Sequence, residues 1–483
     1  METSMSAPPL VVDLDGTLVA TDTLAESVVK VIKSSPVNLV FLPFWLARGR
    51  AVFKSMVAGK VTLDVSSLPY RPGVVDYLRE QKLIGRSIVL ATAAHHSIAE
   101  PVARHTGLFD SVLATTTDCN LKGLAKLEAI RQKVGTSFVY AGDSIADLPI
   151  WRSASAAVLV NVSPNVRDAL GIQTIIEREF PPDPASLADW GRALRVHQWL
   201  KNLLLFVPLL TAMSLFDLAK LSALLVAFLS LSLAASATYI VNDLWDLDND
   251  RRHARKRFRP FASGRLPIAH GLVVAFAAMV TALALGAWVS PVFFGFLVIY
   301  VALTSLYSWA LKGYVLLDVL MLSILYTLRI LAGSAAITIP VSAWLLAFSL
   351  FIFLSLALVK RCAELVALEK TGGLSTKGRD YRITDLTVLW PMGVSSALSA
   401  VVVFGLFINA PDTQARYGTP ILLWLIAIGL VYWLGRLWIK TSRGEMHDDP
   451  IVYALRDGGS RIVLACIVAT MLVAYFLKLN LSI

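Results

Sequence analysis

Cysteine is scarce in this 483-residue chain: Cys119, Cys362 and Cys466 are the only three, and they lie far apart. Such spacing excludes a disulfide framework and a close-paired thiolate metal site. The histidines, among them His95, His96, His105, His253, His270 and His447, show no metal-ligand spacing either. No cleavable signal is visible, because the N-terminus runs straight into Pro8-Pro9-Leu10-Val11-Val12, too short an apolar stretch for one. The first part of the chain is therefore expected to stay in the cytoplasm. No internal repeat is visible, which counts against a paired-repeat transporter. Charged residues make up only 16%, and the formal net charge is +10. The cations lie mainly between apolar runs, where they read as positive-inside loops and anionic-ligand contacts, so no nucleic-acid partner is expected.

What is present divides sharply. The first stretch, of roughly 185 residues, mixes charged and apolar residues as water-exposed domains do, whereas the rest is dominated by long Leu, Val, Ala, Phe and Trp runs. About nine membrane spans are expected at the ~20 residues a bilayer requires. They start near Leu203, Leu221, Ala269, Pro291, Val315, Val341, Asp385, Pro420 and Arg461. With the head in the cytoplasm, the loops after the second, fourth, sixth and eighth spans face the same side and hold most of the Lys and Arg. That asymmetry predicts a multi-pass protein of the inner (cytoplasmic) membrane.

At the end of the second span stand Asn242, Asp243, Asp246 and Asp250, followed at once by Arg251, Arg252, Arg255, Lys256, Arg257 and Arg259. On a helix Asn242, Asp246 and Asp250 recur every four positions and share one face, with Asp243 beside them. Hard Mg²⁺ binds through a few carboxylates plus substrate phosphates, and neighbouring cations hold the remaining phosphate charge. Acid then base at a membrane surface therefore suggests metal-bridged diphosphate chemistry. A plain orientation signal needs Lys and Arg but not spaced carboxylates.

A second polar set collects on the same side. Lys360, Arg361 and Glu364 fall within one helical turn, and Arg379, Tyr381 and Arg382 follow. An internal salt bridge is the alternative reading to an anionic-ligand site. Asp318 and Arg329 lie inside an apolar span, where ionisable groups are costly and by default face a polar cavity. Lys201 and Asn202, after His197-Gln198-Trp199, open the first span and are candidates for the same cavity, or for an interfacial anchor.

The string Arg195 to Asn202 (RVHQWLKN), the NDxxDxxxD element with its downstream KRFRP and SG, YSWALK from Tyr307 to Lys312, RILAG at Arg329 and KRCAEL at Lys360 resemble the UbiA superfamily. More narrowly they resemble its decaprenyl-phosphate phosphoribosyltransferase branch, over roughly residues 190 to 480. The resemblance implies phosphoribosyl pyrophosphate bound with Mg²⁺ near the cytoplasmic surface and a polyprenyl phosphate lipid entering from the bilayer. It also implies substrate contacts at Lys201, Asn202, Lys256, Arg257, Arg259, Lys312, Arg329, Lys360, Arg361, Glu364 and Tyr381, and metal contacts at Asn242, Asp243, Asp246 and Asp250. Two departures matter. Arg195-Val196 stands where many relatives read Arg-Pro, and Lys-Arg-x-x-Glu stands where a second DxxxD serves prenyl-diphosphate users. More cations and fewer carboxylates suit a donor carrying an additional 5-phosphate. The alternative is a prenyltransferase joining a polyprenyl diphosphate to an aromatic acceptor. A lipid-phosphate transporter with an attached phosphatase is a third reading.

In the head, a short apolar strand from Leu10 to Val12 runs into Asp13-Leu14-Asp15-Gly16-Thr17. Positions two apart share a strand face, so Asp13 and Asp15 converge if the strand stays extended. One carboxylate then attacks phosphorus while the other handles protons. A second strand, Ser87 to Ala91, leads to Thr92; Lys122 and Lys126 follow; a third runs from Phe138 to Asp143 and Asp147. Open parallel sheets bind ligands at these carboxyl ends. The four ordered motifs resemble the haloacid dehalogenase superfamily of phosphatases over roughly residues 8 to 170. That resemblance implies Asp13 as nucleophile, Asp15 as acid and base, Thr92 and Lys126 on the phosphoryl oxygens, and Mg²⁺ on Asp143 and Asp147 together with Asp13 and Asp15. Lys122 competes for the lysine role. The stretch Val37 to Ala51, with Phe41, Phe44, Trp45, Arg48 and Arg50, reads either as an interfacial helix or as a cap helix.

The expected architecture is two-domain. A Rossmann-like α/β haloacid dehalogenase-type phosphatase domain with a small helical cap spans 8–176, and a polar linker bearing Pro181, Pro182 and Pro184 spans 177–189. An all-α polytopic UbiA-type membrane transferase spans 190–483. The expected function is transfer of 5-phosphoribose to a polyprenyl phosphate, with the head removing the 5-phosphate. The sequence leaves the oligomeric state open, a homo-oligomer included.

Overall fold

A computed structural model describes residues 7–370, 379–446 and 449–478. His447, read above as having no metal role, lies outside them. The chain divides into two compact units, Met1–Leu194 with Tyr239–Phe276 and Arg195–Thr238 with Ala277–Ile483.

The first unit is built on a six-stranded parallel sheet: β1 (Leu10–Val12), β2 (Ile88–His95), β3 (Ser111–Thr115), β4 (Val139–Gly142), β5 (Ala156–Val160) and β6 (Ile176–Phe180). Their order is β3-β2-β1-β4-β5-β6, with Val11 opposite both Val89 and Tyr140. Helices cover both faces, so the central strands are apolar throughout rather than alternating. Leu10, Val12, Leu90 and Ala141 enter one core, while Val11, Val89, Tyr140 and Leu159 enter the other. The winding direction reverses between β1 and β4, and a cleft opens there at the strand carboxyl ends. Within the expected linker the chain is still part of the sheet: Ile176–Phe180 pairs with β5, and Arg86 holds Glu177 at 2.5 and 3.0 Å. Composition could not reveal this edge strand, because its exposed IEREF pattern looks polar.

After β1 come α1 (Thr23–Ser34), α2 (Asn38–Ala47) and α3 (Arg50–Ala58), the small helical cap. Asp22 starts α1 by accepting hydrogen bonds from the Leu24 and Ala25 amides at 2.9 and 3.0 Å, satisfying two otherwise unpaired donors.

Among the described residues, eight helices are long and apolar enough to cross a membrane: Leu218–Trp245, Ile268–Val289, Pro291–Trp309, Leu317–Ile337, Ala343–Lys370, Ile383–Ile408, Pro420–Ser442 and Gly458–Phe476. The stretch expected to open the series near Leu203 differs. It forms a 3₁₀ helix, Val196–Phe206, followed by a five-residue α-helix, Val207–Thr211. A 3₁₀ helix rises about 2.0 Å per residue against about 1.5 Å in an α-helix, so these few residues still carry the chain roughly 30 Å. Close packing accompanies this form. A side chain at Gly333 would run into the Leu205 main chain, so only glycine lets Val196–Phe206 lie directly against Leu317–Ile337.

Candidate active sites

In the first unit, β1 pairing continues one residue past Val12: the Asp13 amide donates to the Ala141 carbonyl at 3.0 Å. Asp13 therefore sits beside the end of β4. Lys126, buried on the helix Leu124–Val134, donates to Asp13 at 2.8 Å and to the Tyr140 hydroxyl at 2.9 Å. The Tyr140 hydroxyl in turn donates to Asp147 at 2.9 Å. The other Asp147 oxygen accepts from the amides of Asp143 and Ser144 and from the Ser144 hydroxyl at 3.2–3.3 Å, so this carboxylate braces the loop that carries Asp143. Asp15 accepts from the Thr23 amide at 2.9 Å, at the start of α1.

Ligand oxygens of Asp13, Asp143 and Asp147 lie within 4.8 Å of one another, the one such acidic or thiolate group among the described residues. Several hard oxygens at this spacing suit Mg²⁺. Gly16, at φ +76°, leaves the necessary room, because a Cβ there would strike the Asp143 carboxylate. Crowded, largely buried acids resist ionisation. Burial, then Asp13, Asp147 and Asp15, push Asp143 up to about 8; burial and Asp22 push Asp15 up to about 7.

These groups line a cavity of about 1150 Å³. Of the two candidate lysines, Lys126 is buried on Asp13, whereas Lys122 is exposed at the rim. Thr92 departs from expectation. It is fully buried within β2, its hydroxyl accepts from the Ala94 amide at 3.0 Å, and Ala93 and Ala94 form the neighbouring wall instead. The strand runs on to His95, so Thr92 is not its last residue. Sequence reasoning missed Lys54 and Arg71. Lys54 donates to the Ala93 carbonyl at 2.6 Å and to Asn120 at 2.8 Å, and Arg71 donates to the Gly16 carbonyl at 3.0 Å. Both line the cavity from elements with no motif of their own. Its far wall is Ser263, Gly264, Arg265 and the start of the helix Ile268–Val289, immediately after the basic run.

The acidic element lies in the same unit. Leu218–Trp245 ends at Trp245, and Leu247–Arg252 follows with the hydrogen bonds Asp246 N to Asn242 O and Asp250 N to Asp246 O maintained at 3.0 and 2.8 Å. The four-residue spacing therefore survives the break. Asp243 and Asp250 converge on Arg259 Nη1, at 3.0 and 2.6 Å, while Asp246 lies 4.0 Å from Lys33. Burial raises Asp250 above the usual carboxylate range even with Arg259 against it. The basic run is divided in its duties. Arg251 is buried on Glu26 and Arg252 pairs with Asp64 at 2.5 Å, whereas Arg255, Arg257 and Lys256, the last 3.9 Å from Asp250, are exposed.

The second unit gathers its own polar cluster. Arg329 donates to Asn202 at 3.0 Å and to Tyr300 at 3.1 Å, and Asn202 donates to Ser232 at 2.9 Å. Residues three apart align on a 3₁₀ helix and four apart on an α-helix, so Asn202 meets Arg329 where Leu205 meets Gly333. Lys201 and Lys360 share the Asp449 carboxylate at 2.7 and 3.3 Å. Burial opposes its ionisation, but the two lysines outweigh burial and bring Asp449 down to about 2. Asp449 was missed because nothing local in sequence links it to either lysine.

Arg361 requires correction as a substrate contact. It is fully buried, pairs with Asp318 at 2.6 Å and with Glu364, and lies over the Tyr381 ring. Tyr381, also fully buried, donates to Asp318 at 2.5 Å, and Arg379 holds Glu364 at 3.0 Å. A buried charge requires a partner, so Arg361, Asp318 and Tyr381 serve one another and Asp318 does not face an open cavity. Lys312 is half-buried in the turn Leu311–Gly313.

The profile of the UbiA prenyltransferase family matches residues 203–456, and that of haloacid dehalogenase-like hydrolases matches residues 10–152. An uncharacterized protein of Sinorhizobium fredii, y4nM, is 37% identical over 96% of this chain and 91% of its own length. Nodulation protein NoeC of Azorhizobium caulinodans is 39% identical over 59% of this chain and 92% of its own. Decaprenyl-phosphate phosphoribosyltransferase of Mycobacterium tuberculosis is 38% identical over 60% of this chain and 95% of its own.

Proposed function

This chain belongs to the UbiA prenyltransferase family and carries an N-terminal haloacid dehalogenase-like domain, and from that premise we propose a two-step enzyme of the inner membrane with its head in the cytoplasm. The membrane part transfers 5-phosphoribose from phosphoribosyl pyrophosphate to a polyprenyl phosphate. The head then hydrolyses the 5-phosphate of the lipid-linked product. The relatives named decaprenyl-phosphate phosphoribosyltransferase support the first step. The observation that carries the pairing is the wall of the Asp13 cavity, which includes Ser263, Gly264 and Arg265, directly after the acidic and basic element.

In the transfer, an oxygen of the lipid phosphate attacks the anomeric carbon as its bond to pyrophosphate breaks. Asn242, Asp243, Asp246 and Asp250 are the residues that would hold Mg²⁺ there, with Lys256, Arg257 and Arg259 balancing phosphate charge. Lys201, Asn202, Arg329 and Lys360 are assigned to anionic substrate groups, and Lys312 and Glu364 to further substrate contacts.

In the head, Asp13 attacks phosphorus and the ester P–O bond breaks. Asp15, whose pKa burial pushes up to about 7, donates its proton to the departing oxygen. Water then attacks the aspartyl-phosphate and gives its proton to Asp15. Lys126 steadies the phosphoryl charge beside Asp13, to which it is already bonded. Mg²⁺, when bound at Asp13 and Asp143, supplies further neutralisation of phosphoryl oxygens.

Purified protein given phosphoribosyl pyrophosphate, decaprenyl phosphate and Mg²⁺ is expected to yield lipid-linked ribose by mass spectrometry. Asp13→Asn is expected to stop at the phosphorylated lipid. Absence of any ribosyl lipid rejects the reading.

A further inference from the structure

Helix α2 reads NLVFLPFWLA and contains no charged residue. Val40 and Phe44 are 63% and 65% exposed, and Leu39, Phe41 and Leu46 are exposed as well. Trp45 turns inward instead, packing with Val31 and Val57. A contiguous apolar surface of this kind on a water-exposed domain marks an interaction site. The α1 contacts show where it lies. Lys33, in the last turn of α1, donates to the Trp245 carbonyl at 2.6 Å, and Lys30 pairs with Asp248 at 2.8 Å. Trp245 is the final residue of the membrane-crossing helix Leu218–Trp245. The chain then turns through Ser35-Pro36 and enters α2, so the apolar helix starts beside the end of a membrane span.

Ten residues of α-helix reach about 15 Å, half the thickness of a bilayer core. Such a helix lies in the interface, apolar side chains down and basic residues at its margin. Arg48, Arg50 and Lys60 supply that margin, with Lys60 over the Trp45 ring at 5.4 Å. Leu46 and Arg50 also line the cavity that contains Asp13. We infer that α2 inserts into an anionic lipid surface and seats the mouth of the Asp13 cavity on the bilayer, so that the phosphate ester the head receives is carried by a membrane lipid. The inference about substrate rests on the phosphatase reading; the insertion of α2 does not.

The full chain, with Cys119, Cys362 and Cys466 replaced, is spin-labelled at Phe44→Cys or at Leu83→Cys in vesicles containing phosphatidylglycerol. Leu83 is an equally apolar, exposed control on another helix. The label at 44 is expected to be reached by oxygen and shielded from an aqueous nickel relaxant, and the label at 83 the reverse. Equal nickel access at both positions, or close spin coupling between two copies at 44, overturns the insertion. In the chain with its native cysteines, Val40→Asp with Phe44→Asp is expected to slow hydrolysis of a vesicle-bound lipid phosphate monoester at least tenfold, with p-nitrophenyl phosphate hydrolysis unchanged. Equal turnover of the lipid ester by both proteins overturns the substrate assignment. Should Asp13→Asn leave p-nitrophenyl phosphate hydrolysis intact, the phosphatase reading fails while the spin-label depth still decides α2.

Discussion

Arg251 holds Glu26 through two hydrogen bonds, of 2.9 and 2.5 Å, with both side chains almost completely buried. One residue belongs to the basic run after the acidic helix, the other to α1, whose first amide binds Asp15. Thr21 donates to the same glutamate at 2.6 Å, and the Arg251 Nε donates to the Ala262 carbonyl at 3.0 Å. The acidic element and the start of the cap are thereby fixed to one another. Glu26→Ala leaves a buried guanidinium without its carboxylate, and the expected loss is about 3–5 kcal/mol. Thermal unfolding of the full chain in detergent checks this; Glu26→Ala with Arg251→Ala should cost less than the two single changes added together.

The acids of the head make its metal-free stability fall with rising pH. Asp15 and Asp143 have folded-state values pushed up to about 7 and about 8, above the roughly 4 of an unfolded aspartate. Groups raised in this way contribute stability below the unfolded value and lose it as pH climbs through the folded one. In chelator, the unfolding temperature of the head should decline between about pH 4 and pH 8. Asp143→Asn should flatten that decline while abolishing phosphatase turnover. A flat profile in the unsubstituted protein contradicts the burial argument.

Lys126 and Lys122 separate by position. Lys126→Ala removes the cation bonded to Asp13 and is expected to lower kcat for p-nitrophenyl phosphate by on the order of 10²-fold or more. Lys122→Ala, at the exposed rim, should act mainly on KM. Reversed effects would move the lysine role to Lys122.

Arg361 is expected to behave as a structural residue. Arg361→Met strands Asp318 in the interior and should destabilise the chain by about 3–5 kcal/mol. Asp318→Leu combined with Arg361→Met should recover much of that loss, with KM for the pyrophosphate donor little changed in the surviving folded protein. A large KM increase in the stable double variant would return Arg361 to the substrate site.

Asp243 and Asp250 meet at Arg259, so either substitution should be felt by the transfer step alone. Asp250→Asn is expected to reduce ribosyl-lipid formation by on the order of 10²-fold while leaving p-nitrophenyl phosphate hydrolysis in place. Intact ribosyl transfer would show that this carboxylate is not a ligand of the reacting donor.

Much of this was legible from local pattern. The Leu10–Val12 strand and the long apolar runs follow from backbone alternation and from the length a bilayer demands. The first apolar stretch was legible only in part, since its 3₁₀ form depends on the close approach of Leu205 to Gly333. Thr92 shows another limit: a hydroxyl near a strand end carries no mark of whether it faces the cleft or the main chain.

Composition, charge placement and motif spacing by themselves determined an α/β head, a polytopic membrane body and an acidic element at the end of an apolar span. These are short-range properties, set by hydrophobicity and helical or strand periodicity. The tertiary structure alone decided which charges pair with one another. Arg251 finds Glu26, Arg361 finds Asp318, and Lys201 and Lys360 find Asp449 only after folding. A buried charge is tolerated only with a partner, and the partner's distance along the chain places no restriction on its distance in space.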